Sequence, residues 1–123
     1  MMVTPADEQT AVTLAAVARF NAAFDRHDVD GVMAAMTDDC VFENTGPAPD
    51  GERYVGAAAV RAVWQRFFEA NPHATFEVED QFAAGERCVV RWRYSWGSGH
   101  VRGVDIFHVR DGRVAEKLSY VKG

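Results

Sequence analysis

Residues 102–120, RGVDIFHVRDGRVAEKLSY, contain two runs rich in β-branched and aromatic residues on either side of Arg110-Asp111-Gly112. This pattern predicts a β-hairpin, and Gly112 suits the left-handed position that closes a three-residue loop. Asp105 interrupts the first run, where strand propensity and burial both disfavour a carboxylate. With a three-residue loop, Asp105 lies opposite Lys117 on the second strand. The two side chains are predicted to form either a structural ion pair or part of a functional site.

Length and composition favour a single soluble domain spanning residues 1–123. The formal net charge is −5 and the basic residues are scattered, so no nucleic-acid partner is expected. The sequence has no signal-peptide pattern and no apolar run of the roughly 20 residues that a membrane span needs, so no membrane partner is expected. Cys40 and Cys88 lack metal-ligand spacing and are predicted to be buried free thiols, which favours a cytoplasmic location.

The N-terminal part of the chain carries mostly helical periodicity, with apolar residues recurring at spacings of three and four. Thr4 is a candidate N-cap for the first helix. The predicted segments are a helix ending near Arg26, a second helix over 29–36, a strand over 40–44, a loop over 45–54 and a third helix over 57–70.

The rest of the chain is predicted to form antiparallel strands over 75–82, 88–96 and the two arms of the hairpin. Helices followed by antiparallel strands indicate an α+β fold with the helices on one face of the sheet. Both faces of the hairpin carry apolar side chains, and the helices can cover only one of them. The second, convex face is therefore predicted to form a homodimer interface.

Two stretches of sequence are informative together with the order of these elements. They are residues 38–44, after the second helix, and residues 103–114, in the hairpin. In these features the chain resembles the nuclear transport factor 2-like superfamily, and more specifically its SnoaL-like polyketide cyclases and ketosteroid isomerase-like relatives. The resemblance covers nearly the whole chain. It implies a cone-shaped α+β barrel of the cystatin-like class, with three N-terminal helices packed on a strongly curved antiparallel sheet.

The resemblance implies no single function, because this superfamily hosts many activities on one cone. Its steroid isomerases use an aspartate base, with a tyrosine and a protonated aspartic acid as oxyanion hole. Here Asn44 falls at the base position, Phe20 at the tyrosine position and Asp105 at the second aspartate. SnoaL-like cyclases use an acid/base aspartate that Asp105 also matches. The short connection 97–100 argues against a bulky polycyclic substrate.

Limonene-type epoxide hydrolases are a third group that the chain resembles, around residues 42–44. Asn44 matches an asparagine that helps to hold the attacking water, and Arg91 matches the family's arginine. Arg93 and Ser119 fall where that family has its two carboxylates. Without them, the reaction lacks both its base and its acid.

Asp105 and Asn44 are therefore the candidate catalytic residues. In one interpretation, Asp105 is the general acid/base of a cofactor-independent isomerisation or cyclisation of a small apolar carbonyl compound, and Asn44 orients a water or the carbonyl. In the other, Asp105 and Lys117 form a structural pair, and the protein is a non-catalytic ligand-binding or accessory dimer. The spacing of histidines in the sequence predicts no metal site, and its glycines form no nucleotide-binding motif, so no cofactor is expected.

Aromatic residues at strand and helix positions predict the walls of a binding pocket. A two-residue turn at Ser98-Gly99 would place Trp92 opposite Asp105, whereas a three-residue turn would place Arg91 there. Trp92 is expected to point into the cone, because an apolar side chain suits its interior. The predicted substrate-binding residues are Phe20, Phe24, Phe42, Trp64, Trp92, Tyr94, Phe107 and Lys117.

Overall fold

A computed structural model describes residues 5–123, with side chains from Asp7 onward. The predicted cap Thr4 lies outside the described residues. Within the described part, the elements in chain order are α1 (Pro5–Asp25), α2 (Val29–Ala34), β1 (Met36–Glu43), β2 (Arg53–Val55), α3 (Ala57–Ala70), β3 (Thr75–Ala84), β4 (Arg87–Trp96), β5 (Gly99–Arg110) and β6 (Arg113–Val121). The helices pack on one face of the sheet, which is the predicted α+β arrangement.

The six strands form one sheet in the order β2-β1-β6-β5-β4-β3. Strands β3 to β6 form the predicted antiparallel meander. Strand β1 instead pairs parallel with β6, so the sheet is mixed and not antiparallel throughout. The chain between them runs through β2, α3 and the meander, and a connection of this length permits parallel pairing. This pairing places Phe42 beside Lys117.

Several boundaries differ from the sequence prediction. Helix α2 ends at Ala34, and β1 covers Met36–Glu43 in place of the predicted 40–44, so that Met36, predicted to be helical, begins the strand. Strand β3 continues to Ala84, two residues beyond its predicted end. The predicted loop over 45–54 is also shorter, because its last residues enter strand β2, where Tyr54 pairs with Phe42. Cross-strand packing of two aromatic residues stabilises this short edge strand. The bounds of α3 agree with the prediction.

The turn of the β5–β6 hairpin has two residues, not the predicted three. Arg110 pairs with Arg113, which leaves Asp111 and Gly112 as the turn. Their φ angles are 54° and 74°. Positive φ at both central residues is typical of a type I′ turn, whose twist matches that of the flanking strands.

A bulge in β6 then shifts the register of the hairpin. Pairing changes between His108 and Val109, so that Ala115 is the extra residue on β6. As a result Asp105 pairs with Ser119 and not, as predicted, with Lys117. The bulge thus decides which side chains meet on the inner face of the sheet.

Helix α1 is fastened to the tips of two hairpins. The Thr13 hydroxyl donates to the carbonyl oxygen of Gly85 at 2.6 Å, at the β3–β4 turn. The Arg19 guanidinium donates to the carbonyl oxygen of Gly112 at 2.7 Å, at the β5–β6 turn. Between these anchors, Phe20 is fully buried against the sheet. No helix in residues 5–123 is long and apolar enough to cross a membrane.

Candidate functional site

A cavity of about 380 Å³ lies between the helices and the face of the sheet that they cover. Most of its lining is aromatic or aliphatic, and its polar residues come from the β1 end and from the β5–β6 hairpin. The lining residues are Phe24, Phe42, Asn44, Thr45, Val63, Trp64, Phe67, Phe76, Trp92, Tyr94, Trp96, Val101, Asp105, Lys117, Ser119 and Val121. An apolar concave site with a few convergent polar groups is typical of small-molecule pockets.

The polar centre of this cavity consists of Asp105, Ser119 and Lys117. The Ser119 hydroxyl donates to Asp105 Oδ1 at 2.7 Å and accepts a hydrogen bond from Lys117 Nζ at 3.1 Å. Lys117 Nζ also lies 3.4 Å from Asp105 Oδ2, an ion-pair contact. The serine therefore bridges an acid and a base that already face each other.

The register of the hairpin explains this arrangement. Ser119 lies directly opposite Asp105, and Lys117 is two positions earlier on β6, on the same face of the strand and diagonal to Asp105. The predicted ion pair is present, although its predicted direct register is wrong. A long lysine side chain spans the diagonal distance.

Four aromatic rings surround the Lys117 ammonium group. Its Nζ lies 4.8 Å from the centroid of the Phe42 ring, 5.2 Å from that of Trp64, 5.4 Å from that of Phe24 and 5.9 Å from that of Phe20. Ring faces attract a cation and are partial substitutes for the water that burial removes. They cannot hydrogen-bond it as water does.

Burial lowers the pKa of Lys117 below its ordinary value, because the interior disfavours the charged form. The Asp105 carboxylate opposes this effect by its charge and raises the pKa of Lys117, but burial is the larger cause. Lys117 therefore gives up its proton more readily than an exposed lysine does.

One oxygen of Asp105 has no hydrogen-bond partner. Oδ2 is buried, and no donor in residues 5–123 lies within hydrogen-bonding geometry of it, although Lys117 is in ion-pair contact. A buried acceptor without a partner is costly. Oδ2 therefore keeps its acceptor capacity for a group that enters the cavity.

Hydrogen-bond donors on three lining side chains also lack a partner. Trp64 Nε1, Trp92 Nε1 and the Tyr94 hydroxyl are buried and find no acceptor among the described residues. Burial raises the pKa of Tyr94, so its hydroxyl keeps its proton. The cavity thus has more donors than the protein itself satisfies.

The structure places the predicted substrate-binding residues in two groups. Phe24, Phe42, Trp64, Trp92, Tyr94 and Lys117 line the cavity. Phe20 and Phe107 do not: both are fully buried, and their rings pack edge to face 5.5 Å apart behind the lining. They support the walls and belong to the hydrophobic core.

Trp92 points inward as predicted, but its neighbour on β5 is Gly103. The β4–β5 turn is Gly97-Ser98, so Val90 and not Trp92 is opposite Asp105. A Cβ atom on Gly103 would lie 2.5 Å from Trp92 Cζ2 and 2.2 Å from the carbonyl oxygen of Tyr120. Glycine is therefore required for the indole to lie over β5.

Asn44 lies at the edge of the cavity, directly after β1. Its side-chain oxygen accepts a hydrogen bond from the backbone N–H of Thr45 at 2.8 Å. The backbone N–H of Asn44 donates to the carbonyl oxygen of Glu52, also at 2.8 Å. These bonds hold the backbone that closes the loop over 44–52. The side-chain amide nitrogen keeps its donors for another partner.

The cysteines and histidines lie apart from this centre. Both thiols are free and buried, and burial raises the pKa of Cys88 to about 11. His108 contacts Glu86 and His27 contacts the carbonyl oxygen of Ala74. Residues 5–123 contain no group of three or more acidic, histidine or cysteine side chains placed to hold a metal ion.

The family model described as "SnoaL-like domain" matches residues 17–117, which is most of the chain and includes two of the three residues of the polar centre, Asp105 and Lys117. The chain belongs to the SnoaL-like domain family. The resemblance predicted from residues 38–44 and 103–114 is thereby confirmed.

Solved structures of several other proteins share the fold. An NTF2-like protein of unknown function from Mesorhizobium loti is 39% identical over 100% of both chains, with a TM-score of 0.85. A Kribbella flavida protein provisionally named a ketosteroid isomerase is 21% identical over 94% of this chain and 81% of its own, with a TM-score of 0.80. An LEH-like epoxide hydrolase from M. tuberculosis is 26% identical over 93% of this chain and 85% of its own, with a TM-score of 0.72. A comparison with curated proteins found no significant match.

The structure of this SnoaL-like chain keeps Arg91, the residue matched to the epoxide hydrolase arginine, away from the cavity. Arg91 is exposed and pairs with Val104 on the outer face of the sheet, and Arg93 is exposed as well. Neither lines the cavity, where Asp105 is the one carboxylate among the described lining residues.

Ser119 is the residue of the site that sequence reasoning missed as a partner of Asp105. The signal was the dipeptide Asp111-Gly112, which is typical of a two-residue hairpin turn. That turn changes the register and moves Lys117 away from the direct position. The bulge at Ala115, which completes the shift to Ser119, has no comparable signal in the sequence.

Proposed function

We propose that this SnoaL-like protein binds a small apolar carbonyl compound in its cavity and exchanges a proton on the carbon next to the carbonyl. The observation that carries the proposal is an acid/base pair, Asp105 and Lys117, in the lining of an aromatic cavity. No cofactor is needed for such a transfer, because the base and the groups that stabilise the oxygen can both be side chains.

Asp105 is the general acid/base in this proposal. Its Oδ2 has no hydrogen bond to give up, and Oδ1 is held by Ser119 at 2.7 Å, which fixes the orientation of the carboxylate. A carboxylate that is oriented on one side and free on the other can accept a proton from a substrate carbon and return it.

The other lining residues bind and orient the substrate. Negative charge develops on the carbonyl oxygen when the proton leaves, and the Lys117 ammonium and the unpartnered donors of the lining can stabilise it. Asn44, at the cavity edge, anchors a second polar group of the ligand. The rings of Phe24, Phe42 and Trp64 exclude water and contact its apolar part.

The alternative is a ligand-binding or accessory protein without catalysis. The contact of 3.4 Å between Lys117 and Asp105 favours it, since each group already neutralises the other. Epoxide hydrolysis has less support, because the described cavity lining offers one carboxylate and no arginine.

Exchange of α-protons for deuterium distinguishes catalysis from binding alone. With phenylacetone as the probe in deuterium oxide, wild-type protein is expected to accelerate loss of the α-proton signals in NMR spectra. The acceleration is expected to fall by about 10²–10⁴-fold in Asp105→Asn, the usual contribution of a positioned acid/base. Val12→Arg, an exposed change on α1, is the control variant and should exchange like wild type.

Quenching of tryptophan fluorescence reports binding in the same samples, because Trp64 and Trp92 line the cavity. Binding without accelerated exchange would contradict the acid/base role of Asp105 and support the accessory protein. Neither binding nor exchange with phenylacetone and a set of similar small ketones would contradict the proposed ligand class.

The outer face of the sheet is proposed to form a homodimer. Cross-strand pairing brings Phe82, Val89, Ile106 and Leu118 into one continuous row on that face. Phe82 is 62% exposed. A continuous apolar row suits a second copy of the same surface, since a twofold interface is self-complementary.

Ile106→Arg is expected to convert the dimer to a monomer, because it places a charge in the middle of this row. Sedimentation velocity measures the change directly. Val12→Arg introduces the same charge on the helical side and should leave a dimer intact. A monomeric wild-type protein at micromolar concentration would contradict the proposal.

The cytoplasm is the proposed compartment, because both cysteines are buried free thiols.

A further inference from the structure

We propose that Lys117 Nζ forms an imine with the carbonyl carbon of the bound compound. This inference rests on the proposed function, since it needs a carbonyl ligand in the cavity. It assigns Lys117 a covalent role in place of a purely electrostatic one. The substrates would be aldehydes and unhindered ketones with an apolar substituent.

The position of Lys117 meets the first requirement of such chemistry, which is an amine that lies at the cavity and is shielded from bulk water. Its side chain is 7% exposed, it lines the cavity, and the ring of Phe42 lies 4.8 Å from Nζ. Lysines that form imines are activated by desolvation in apolar pockets. An exposed lysine is protonated at neutral pH and adds to carbonyls poorly.

The second requirement is a place for the proton of the ammonium group, and Asp105 provides two routes. One is direct, across the 3.4 Å contact to Oδ2, which has no other partner. The other passes through the Ser119 hydroxyl, which accepts from Nζ at 3.1 Å and donates to Oδ1 at 2.7 Å. Either transfer leaves Lys117 as the neutral amine, the form of this side chain that burial favours.

The reaction then balances with the groups present. The neutral Nζ adds to the carbonyl carbon, and a proton moves from nitrogen to the carbonyl oxygen to give a carbinolamine. The C–O bond breaks with the proton held by Asp105, water leaves, and a protonated imine remains beside the Asp105 carboxylate. The carboxylate can now remove the α-proton, which the positive imine makes more acidic. Water reverses the steps and releases the carbonyl compound, so nothing is oxidised or reduced.

The lysine content of the chain makes the proposal simple to test. The sequence contains two lysines, Lys117 and Lys122. Lys122 is exposed and follows the last strand. The two differ in burial but not in chemistry, so Lys122 is an internal control for adventitious reaction.

The experiment is reduction of the folded full chain with sodium cyanoborohydride in the presence of phenylacetone or cinnamaldehyde, followed by peptide mass spectrometry. The expected result is one adduct per chain, with a mass gain equal to that of the carbonyl compound less one oxygen atom, located on Lys117. Lys122→Arg should keep the adduct, and Lys117→Arg, which retains the positive charge beside Asp105, should lose it.

The other outcomes of this experiment contradict the imine. The α-proton exchange assay shows separately whether the proposed function fails. Absence of an adduct on Lys117 with both probes overturns the imine even if Lys117→Arg does not fold, because the wild-type peptides are sufficient. Equal modification of Lys122 or the α-amino group shows adventitious reaction only. Asp105-dependent α-proton exchange without an adduct leaves the proposed function in place, whereas absence of exchange and of binding counts against that function itself.

Discussion

Asp105→Asn is expected to lower the free energy of unfolding by about 3–5 kcal/mol, the usual cost of removing one partner of a buried ion pair. The reason is that Lys117 would stay buried among aromatic rings without its counterion. The hydrogen bond from Ser119 can be kept by the asparagine oxygen, so the loss reports on charge and not on shape. Urea denaturation followed by tryptophan fluorescence measures it.

The matched control is the double variant Asp105→Asn with Lys117→Met. Removing both charges leaves a side chain of similar length among the rings, and stability is expected to return close to the wild-type value. If the single and the double variant were equally unstable, the ion pair would not be the cause. If Asp105→Asn were as stable as wild type, Lys117 would be neutral in the folded protein without help from Asp105.

Phe20→Ala is expected to cost about 3–5 kcal/mol of unfolding free energy, as large-to-small changes of buried aromatic residues do. Phe20 is fully buried and contacts the rings of Phe24, Trp64 and Phe107. Its loss would leave a hole behind the cavity wall and remove one of the rings around Lys117. Differential scanning calorimetry or urea denaturation provides the measurement.

Phe20→Leu is the control for this change, because it keeps most of the apolar volume. It should cost clearly less than Phe20→Ala. A cost below about 1 kcal/mol for Phe20→Ala would mean that the core closes around the missing ring. That result would contradict the supporting role assigned to Phe20.

Much of the fold could be predicted because its signals are local. Helix α3 shows helical spacing of Val60, Val63, Trp64 and Phe68, and these four residues are the buried ones in the structure. The hairpin was marked by β-rich runs and by Gly112. The parallel pairing of β1 with β6 could not be predicted, because the two strands are far apart in sequence and neither contains a local pattern that indicates its partner.

The candidate site could be predicted only in part, for a similar reason. Asp105 stood out because a carboxylate is unusual in an apolar strand, and Trp92 was placed inward by the preference of an apolar side chain for the interior. Which residue faces Asp105 depended on the turn and on the bulge at Ala115. Phe20 and Phe107 were assigned to the cavity because hydrophobicity identifies buried residues but does not separate a lining from the core behind it.

The polar and the aromatic residues of the cavity come from different elements, and this distribution affects how proteins of this architecture can diverge in evolution. Every ionisable group of the polar centre lies in the single hairpin β5–β6, whereas the surrounding rings come from α1, β1, α3, β3 and β4. After gene duplication, one copy can accumulate substitutions at Phe67, Phe76 or Tyr94 and change the shape of the cavity while the hairpin stays unchanged. The polar centre and the aromatic lining can therefore change independently of each other, because they belong to different segments of one chain.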